Sequence, residues 1–184
     1  MPVRWISDWR ARELHSKAQR LDHAGTRDEA LRLYRRALEI DPDRPTTLYN
    51  IGLIHKYRLN WRESFDFNAR AYALNPQDEA TRWNYAIAAT ALRDWATARQ
   101  LWKENGIDIG EGEGPIEMDL GMTPLRLNPD TDGEVVWGTR IDPARARIRS
   151  VPFAESGYRH GDVVLNDGAP VGSRMFNGSK RAVF

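Results

Sequence analysis

The 184-residue chain is 41% hydrophobic and 29% charged, a balance typical of folded globular proteins rather than of disordered ones. Its formal net charge of +1 leaves no overall field to attract nucleic acid or a membrane. The chain has no cysteine, which excludes disulfides, thiolate metal sites and cysteine nucleophiles and fits a reducing compartment.

The N-terminus lacks the apolar core of a secretory signal peptide, and no apolar run approaches the roughly 18 residues that span a bilayer. We therefore expect a cytoplasmic protein with no membrane partner. The sequence stops at Ala182-Val183-Phe184 without a polar tail, which suggests a truncated chain.

Charge divides the chain into three segments. Residues 1–106 carry 18 basic and 14 acidic side chains, residues 107–133 carry 1 and 7, and residues 134–184 carry 8 and 5. We expect a helical domain in the first segment, an acidic linker or loop region in the second, and a small β-rich domain in the third.

The first segment repeats with a fixed period. Asp41-Pro42 and Asn75-Pro76 each end an apolar-periodic stretch, and the two dipeptides lie 34 residues apart. This period divides the segment into repeats at 11–44, 45–78 and 79–106. Within each repeat, the eighth place holds a small residue (Ala18, Gly52 and Ala86), and so does the twentieth (Ala30, Ser64 and Ala98). The twenty-fourth place holds a larger one (Tyr34, Asn68 and Trp102).

Local signals support two helices in each repeat. Gly25 permits a tight turn, and Thr26-x-x-Glu29 predicts a capping box at the start of the helix that follows. Gly106 is a stop signal for the last helix. Trp5, Ile6 and Trp9 precede the first repeat, and we expect them to extend its first helix or to cap the open end of the stack.

Residues 11–106 resemble tetratricopeptide repeats, in the first repeat almost throughout, while the second departs at Asn68 and the third fades after Trp102. The resemblance implies three helical hairpins stacked as a solenoid. With the C-terminal segment, which we do not assign to a family, the predicted fold class is α+β: a solenoid followed by a small antiparallel β domain.

The resemblance also implies a concave groove, lined by the first helix of each hairpin, that binds a protein or peptide. Asn50 and Asn84 occupy the same place in two hairpins, where an amide can bond a ligand or merely match the common family residue. Some relatives bind a C-terminal carboxylate through groove lysines or arginines, but His15 and Ala80 stand at those places here. The predicted groove residues are Arg12, His15, Gln19, Tyr49, Asn50, Leu53, Tyr57, Trp83, Asn84 and Ile87, with Ser16, Asp22, His23, Thr46, Lys56, Ala80 and Thr90 at the same face.

The sequence pattern of the C-terminal segment predicts short strands. Residues 134–141, 145–151 and 162–166 are the candidates, and residues 118–127 offer another. Asp142-Pro143 and Asn166-Asp167-Gly168 are turn signals between them. Such a small sheet is marginal alone, so we expect it to need support from the last hairpin.

Arg145, Arg147 and Arg149 alternate with apolar residues and should project from one face of a strand. This basic face has two readings: a surface for phosphate or an acidic partner, or a solvated face that pairs with the acidic segment 107–133. Little aromatic interleaving accompanies it, which argues against nucleic acid.

Catalytic and metal signals are weak. Asp130-x-Asp132-Gly133 lacks the distal acid of a calcium loop, and no His-Glu-x-x-His motif, nucleophile elbow or phosphate-binding glycine loop occurs. We predict no catalytic residue, metal or cofactor, and no enzyme activity.

Three hypotheses follow. The first is a protein-interaction module or adaptor that holds a peptide or protein segment in the groove. The second gives the β domain an enzymatic or nucleic-acid-binding activity, which a pocket joining His160, Asp162 and the arginines would favour. The third is a scaffold, a homo-oligomer assembled end to end through the ends of the stack.

Overall fold

The structure, a computed structural model, describes residues 2–129, 131, 133–167, 172–176 and 178–184; the side chains of residues 2–7 and 176 are outside that description. It divides into two compact units, Met1–Asn105 and Gly106–Phe184.

The first unit is helical. Three antiparallel hairpins follow one another, each built from two consecutive helices, as the repeat period predicts. The first helix begins well before the first repeat, so the expected extension by Trp9 and its neighbours is confirmed for the backbone. The helices are α1 (Pro2–His23), α2 (Arg27–Ile40), α3 (Pro45–Tyr57), α4 (Trp61–Leu74), α5 (Glu79–Ala91) and α6 (Trp95–Glu104).

Small residues allow the two helices of each hairpin to cross closely. Ala18 and Ala30 in the first hairpin, and Ala86 and Ala98 in the third, are completely buried. A larger side chain at any of these places would separate the helix axes. Around the first crossing, Leu31, Tyr34, Ile51 and Ile54 form an apolar cluster that joins the first hairpin to the second.

The second hairpin uses a different pair at its crossing. Asn68 is fully buried on α4, and its Nδ2 donates to the Ser64 carbonyl at 2.8 Å. A Cβ added to Gly52 on α3 would lie 2.6 Å from that same Nδ2. Gly52 and Asn68 therefore fit each other, which explains why both differ from their counterparts in the other hairpins.

The helix starts differ from the sequence expectation at one point. The capping box at Thr26 is wrong: the Thr26 side chain makes no cap bond, and its hydroxyl donates instead to the Leu21 carbonyl across the turn at 2.9 Å. Gly25, at φ +83°, makes that tight turn as predicted. Side-chain caps occur elsewhere, where Asp78 accepts from the Thr81 N–H and Asp94 from the Thr97 N–H.

The second unit is an antiparallel β structure. Four strands form a meander in the order β1-β2-β3-β4, and two more form a separate hairpin, β5-β6. The three main candidate strands are confirmed as β2, β3 and β4. Their bounds are β1 (Met122–Arg126), β2 (Val135–Asp142), β3 (Arg145–Ile148), β4 (Val163–Leu165), β5 (Gly172–Phe176) and β6 (Ser179–Val183).

The acidic segment 107–133 is more than a linker, because it contains β1 and belongs to the second unit. Before that strand, the Met118 and Leu120 N–H groups donate to carbonyls of β2, and Ile116 is fully buried. Charge composition did not reveal this role, since Glu111, Glu113, Glu117 and Asp119 are exposed while Ile109 and Ile116 near them are buried.

Alternation along the strands builds the core of this unit. Leu125, Val136, Ala146 and Ile148 are buried on one face of the sheet. Phe184 packs against the same cluster and also bonds to β1, since its N–H donates to the Pro124 carbonyl and its carbonyl accepts from the Arg126 N–H. The β5-β6 hairpin is thereby attached to the edge of the meander.

Some of the predicted turns include residues that the structure does not describe. Asp142 makes the predicted β2–β3 turn, where its Oδ1 accepts from the Ala144 N–H at 2.8 Å. Asp130, Asp132 and Gly168 lie outside the described residues.

The fit between Gly52 and Asn68 predicts that Gly52→Ala changes the free energy of unfolding in opposite directions with and without the Asn68 side chain. Gly52→Ala alone should lower the free energy of unfolding by about 1–3 kcal/mol, because the new methyl group collides with the buried Asn68 amide. In an Asn68→Ala background the same change should raise it by up to about 1 kcal/mol, since alanine favours the helix. Urea unfolding followed by circular dichroism at a helical wavelength measures both; equal effects in the two backgrounds would refute the fit.

Candidate functional site

The exposed face of α1 presents a row of side chains at helical spacing. Trp9, Arg12, Ser16 and Gln19 follow one another by three or four residues and are all exposed. Trp9 is 58% exposed, a large apolar ring left in solvent. The Arg12 guanidinium lies 2.6 Å from the Asp8 carboxylate. The sequence analysis did not include Trp9 on this face because it precedes the first repeat; extending the helical spacing one turn back would have included it.

The face of α3 presents aromatic and aliphatic side chains. Tyr49, Leu53 and Tyr57 recur every four residues; the first two are half-buried, and Tyr57 is 52% exposed. The Tyr57 ring centroid lies 5.2 Å from the Arg27 guanidinium carbon and 5.0 Å from Lys56 Nζ. These two cations lie within cation–π distance of the ring, which stays about half exposed.

On α5, Trp83 and Ile87 have different environments. Trp83 is half-buried and meets the ring of Trp102 edge-on, with centroids 4.9 Å apart. It packs within the stack and also leaves part of its surface open. Ile87 is only 2% exposed and contributes to the interior.

The two matched asparagines are engaged inside the helical unit. Asn84 is buried and its Oδ1 accepts from Lys56 Nζ at 2.9 Å, which links α5 to α3. Asn50 hydrogen-bonds the Tyr34 hydroxyl; burial raises the pKa of Tyr34 and this bond opposes the rise. Asn50 stays half-buried, so part of its amide surface is accessible, whereas Asn84 is closed off.

His15 is an interior residue. It is 7% exposed, its Nδ1 lies 2.8 Å from Thr47 Oγ1, and its ring contacts that of Tyr34 at 5.4 Å. Burial, together with the positive charge of Arg44, lowers its pKa from 6.5 to about 4. His15 is therefore neutral near pH 7 and joins α1 to α3 rather than projecting into solvent.

The three arginines predicted as a basic face are held by nearby acceptors. Arg145 Nε lies 2.6 Å from the fully buried Asp142 carboxylate, and the same guanidinium donates to the Ile116 carbonyl. Arg147 pairs with Glu117 at 3.0 Å. Arg149, just past the end of β3, donates to Thr139 Oγ1 at 3.1 Å. Arg147 follows the reading in which the basic face pairs with the acidic segment, whereas the carboxylate partner of Arg145 is Asp142 at the end of β2.

Chemistry around His160 gains no support from the geometry. His160 and Asp162 are both exposed in the turn before β4, where Asp162 Oδ2 accepts from the Arg159 N–H. Within the described ranges, no group of three or more His, Asp or Glu is placed to hold a metal ion. No described helix combines the length and apolar character needed to cross a membrane.

Comparisons with known proteins include a family-model match and a similar solved structure. The TPR repeat family model matches residues 25–56, from the turn after α1 almost to the end of α3. Among solved structures, the TPR domain of Sgt2 from Aspergillus fumigatus is similar at 18% identity with a TM-score of 0.47. That match covers 52% of this chain and 63% of the Sgt2 chain, so less than two thirds of the latter is spanned. No curated protein matches.

The buried state of His15 predicts a pH-dependent stability. Its folded pKa lies below its unfolded value, so the unfolded chain binds the proton first and stability falls as pH drops from about 6.5 to about 4. The loss attributable to His15 is about 3 kcal/mol. His55 is also buried, stacked on Phe67, and burial lowers its pKa in the same direction.

Urea titrations of helical circular dichroism across this pH range provide the measurement. His15→Gln should make the free energy of unfolding depend less steeply on pH. His23→Gln, an exposed change on the same helix, should leave that dependence as in the wild type. An unchanged slope in His15→Gln would contradict the buried, neutral assignment.

Proposed function

With TPR repeats as the framework of the helical unit, we propose that the face formed by α1, α3 and α5 binds an extended segment of another protein. The observation that carries the proposal is the set of rings left open to solvent on this face: Trp9 on α1, Tyr49 and Tyr57 on α3, and Trp83 on α5. We call this face the aromatic groove.

Aromatic side chains suit such a role. Tyrosine and tryptophan bury a large area on binding while fixing few torsions, and they dominate the energetics of protein interfaces. Tyr57 is held in place by its cationic neighbours and Trp83 by its contact with Trp102, so both are ordered before a ligand arrives. Order in the free state reduces the entropy lost on binding.

The polar groups of the groove favour an internal segment over a free C-terminal carboxylate. Neither of the places that would carry a cation for a carboxylate does so: Ala80 has no charge, and His15 is buried with a pKa of about 4. Lys56 is directed to Asn84. Exposed Gln19 and half-buried Asn50 supply amides that can bond the backbone of an extended chain.

From this chemistry we infer an adaptor or scaffold role. The groove binds one protein segment through apolar anchors, while the β unit offers a second surface. An enzymatic role for the β unit has no particular observation in its favour. The cytoplasmic location and end-to-end assembly expected from the sequence stay predictions.

Peptides selected against the full chain test the proposal. A random-sequence display library should yield binders containing apolar or aromatic residues, and calorimetry should give dissociation constants for the synthetic peptides. Trp9→Ala and Tyr57→Ala should each weaken binding at least about tenfold, because each removes an exposed anchor without disturbing the core.

Leu74→Ala is the matched control, an exposed apolar truncation at the end of α4 on a second helix of a hairpin. It should leave the dissociation constant unchanged. Peptides that bind both groove variants as tightly as the wild type, or that fail only with Leu74→Ala, would place the site elsewhere.

A further inference from the structure

The β5–β6 hairpin concentrates positive charge within a short stretch of the chain. Residues 172–184 contain Arg174, Lys180 and Arg181 and no acidic residue. All three side chains are exposed. This contrasts with Arg145 and Arg147 on β3, each of which has a carboxylate partner.

Register makes the arrangement unfavourable for the isolated hairpin. Arg174 pairs directly with Arg181 across the two strands, so both guanidinium groups project from the same face. Like charges placed opposite each other destabilise a strand pair. Neither arginine makes an ion pair within the part of the chain that the structure describes. An anion outside the described structure would remove this repulsion.

A groove beside the hairpin gives the charge a defined binding place. It has a volume of about 220 Å³ and is lined by Arg126, Val135, Gly172, Ser173, Arg174 and Val183. Arg126 ends β1 and is exposed, and it too makes no ion pair with a described residue. Backbone bonds between Phe184 and β1 hold the hairpin next to this strand, so two guanidinium groups from different strands line one groove.

We propose that this groove binds carboxylate side chains of an acidic segment on a partner protein. Arg126 and Arg174 line it, and Arg181 lies opposite Arg174 in the strand register. Guanidinium groups bind carboxylates through paired, charge-assisted hydrogen bonds. Val135 and Val183 supply an apolar surface for the methylene stem of a glutamate, and the Ser173 hydroxyl adds a hydrogen-bonding group.

The same observations favour a protein over a nucleic acid. None of the residues that line the groove is aromatic, so bases would have no stacking surface there. The cationic residues form one compact cluster, whereas a nucleic-acid backbone is bound by many phosphate contacts along an extended track. The site is separate from the aromatic groove and lies wholly within the β unit.

Fluorescence anisotropy with the full chain at low ionic strength tests this proposal. Three labelled probes of equal length are compared: an oligoglutamate peptide, an oligoglutamine peptide and a single-stranded oligothymidylate. The wild type should bind oligoglutamate, bind oligoglutamine at least about tenfold more weakly, and lose oligoglutamate affinity as salt is added. Arg174→Gln and Arg126→Gln should each weaken oligoglutamate binding about tenfold, because each removes a charge-assisted contact.

Arg159→Gln, an exposed change in the same unit away from the groove, is the matched control and should bind as the wild type does. Arg181→Gln adds a readout that does not depend on the probe: the thermal midpoint of the β unit should hold or rise, since the Arg174–Arg181 repulsion is relieved. Equal binding of oligoglutamate and oligoglutamine, tighter binding of oligothymidylate, groove variants that bind like the control, or a lowered midpoint in Arg181→Gln would each overturn the proposal.

Discussion

Close helix crossings at small, buried side chains fix the geometry of the helical unit. Where Ala18 meets α2 and Ala86 meets α6, the helices of a hairpin approach without a side chain between them. The crossing determines which face of α1 and of α5 turns inward and which remains open. In the second hairpin, Gly52 and the buried Asn68 allow the same close approach of the two helices. The open faces that carry Trp9, Tyr57 and Trp83 follow from this constraint.

Periodicity made the helical unit predictable because the same places occur three times. The hairpins, the small residues at their crossings and the buried rings of Tyr34 and Trp102 could all be inferred from a 34-residue spacing.

What the pattern could not show was the partner of each polar side chain. His15 bonds to Thr47, and Asn84 to Lys56, and each pair joins two different hairpins. A pattern within one repeat assigns a face but cannot tell an exposed side chain from one covered by its neighbour. The capping box at Thr26 was also wrong, because the Thr26 hydroxyl donates to the Leu21 carbonyl across the turn.

The β unit was less predictable because its strands are short and do not repeat. Alternation located β2 and β3, but β1 lies among acidic residues, and β5 and β6 mix polar and apolar residues. A usable signal for the last two was the dipeptide Asn177-Gly178, a common hairpin turn, with Gly178 at φ +74°. In the predicted basic face, Arg145 and Arg147 are paired with carboxylates, and Arg149 donates to the Thr139 hydroxyl. On the hairpin that the strand analysis did not predict, Arg174 and Arg181 make no ion pair with a described residue, so the density of arginines alone does not show which of them are paired.

The account of function depends on the open face of α1, α3 and α5 being the surface that a protein segment contacts. Hydroxyl-radical footprinting of the full chain, with and without a bound peptide selected from a library, measures this directly because tryptophan and tyrosine rings are readily oxidised. The account predicts that the peptide protects Trp9, Tyr57 and Trp83 while Leu74 on α4 reacts as before. Protection confined to α2, α4 and α6, with Trp9 and Tyr57 oxidised at their free rates, would contradict it.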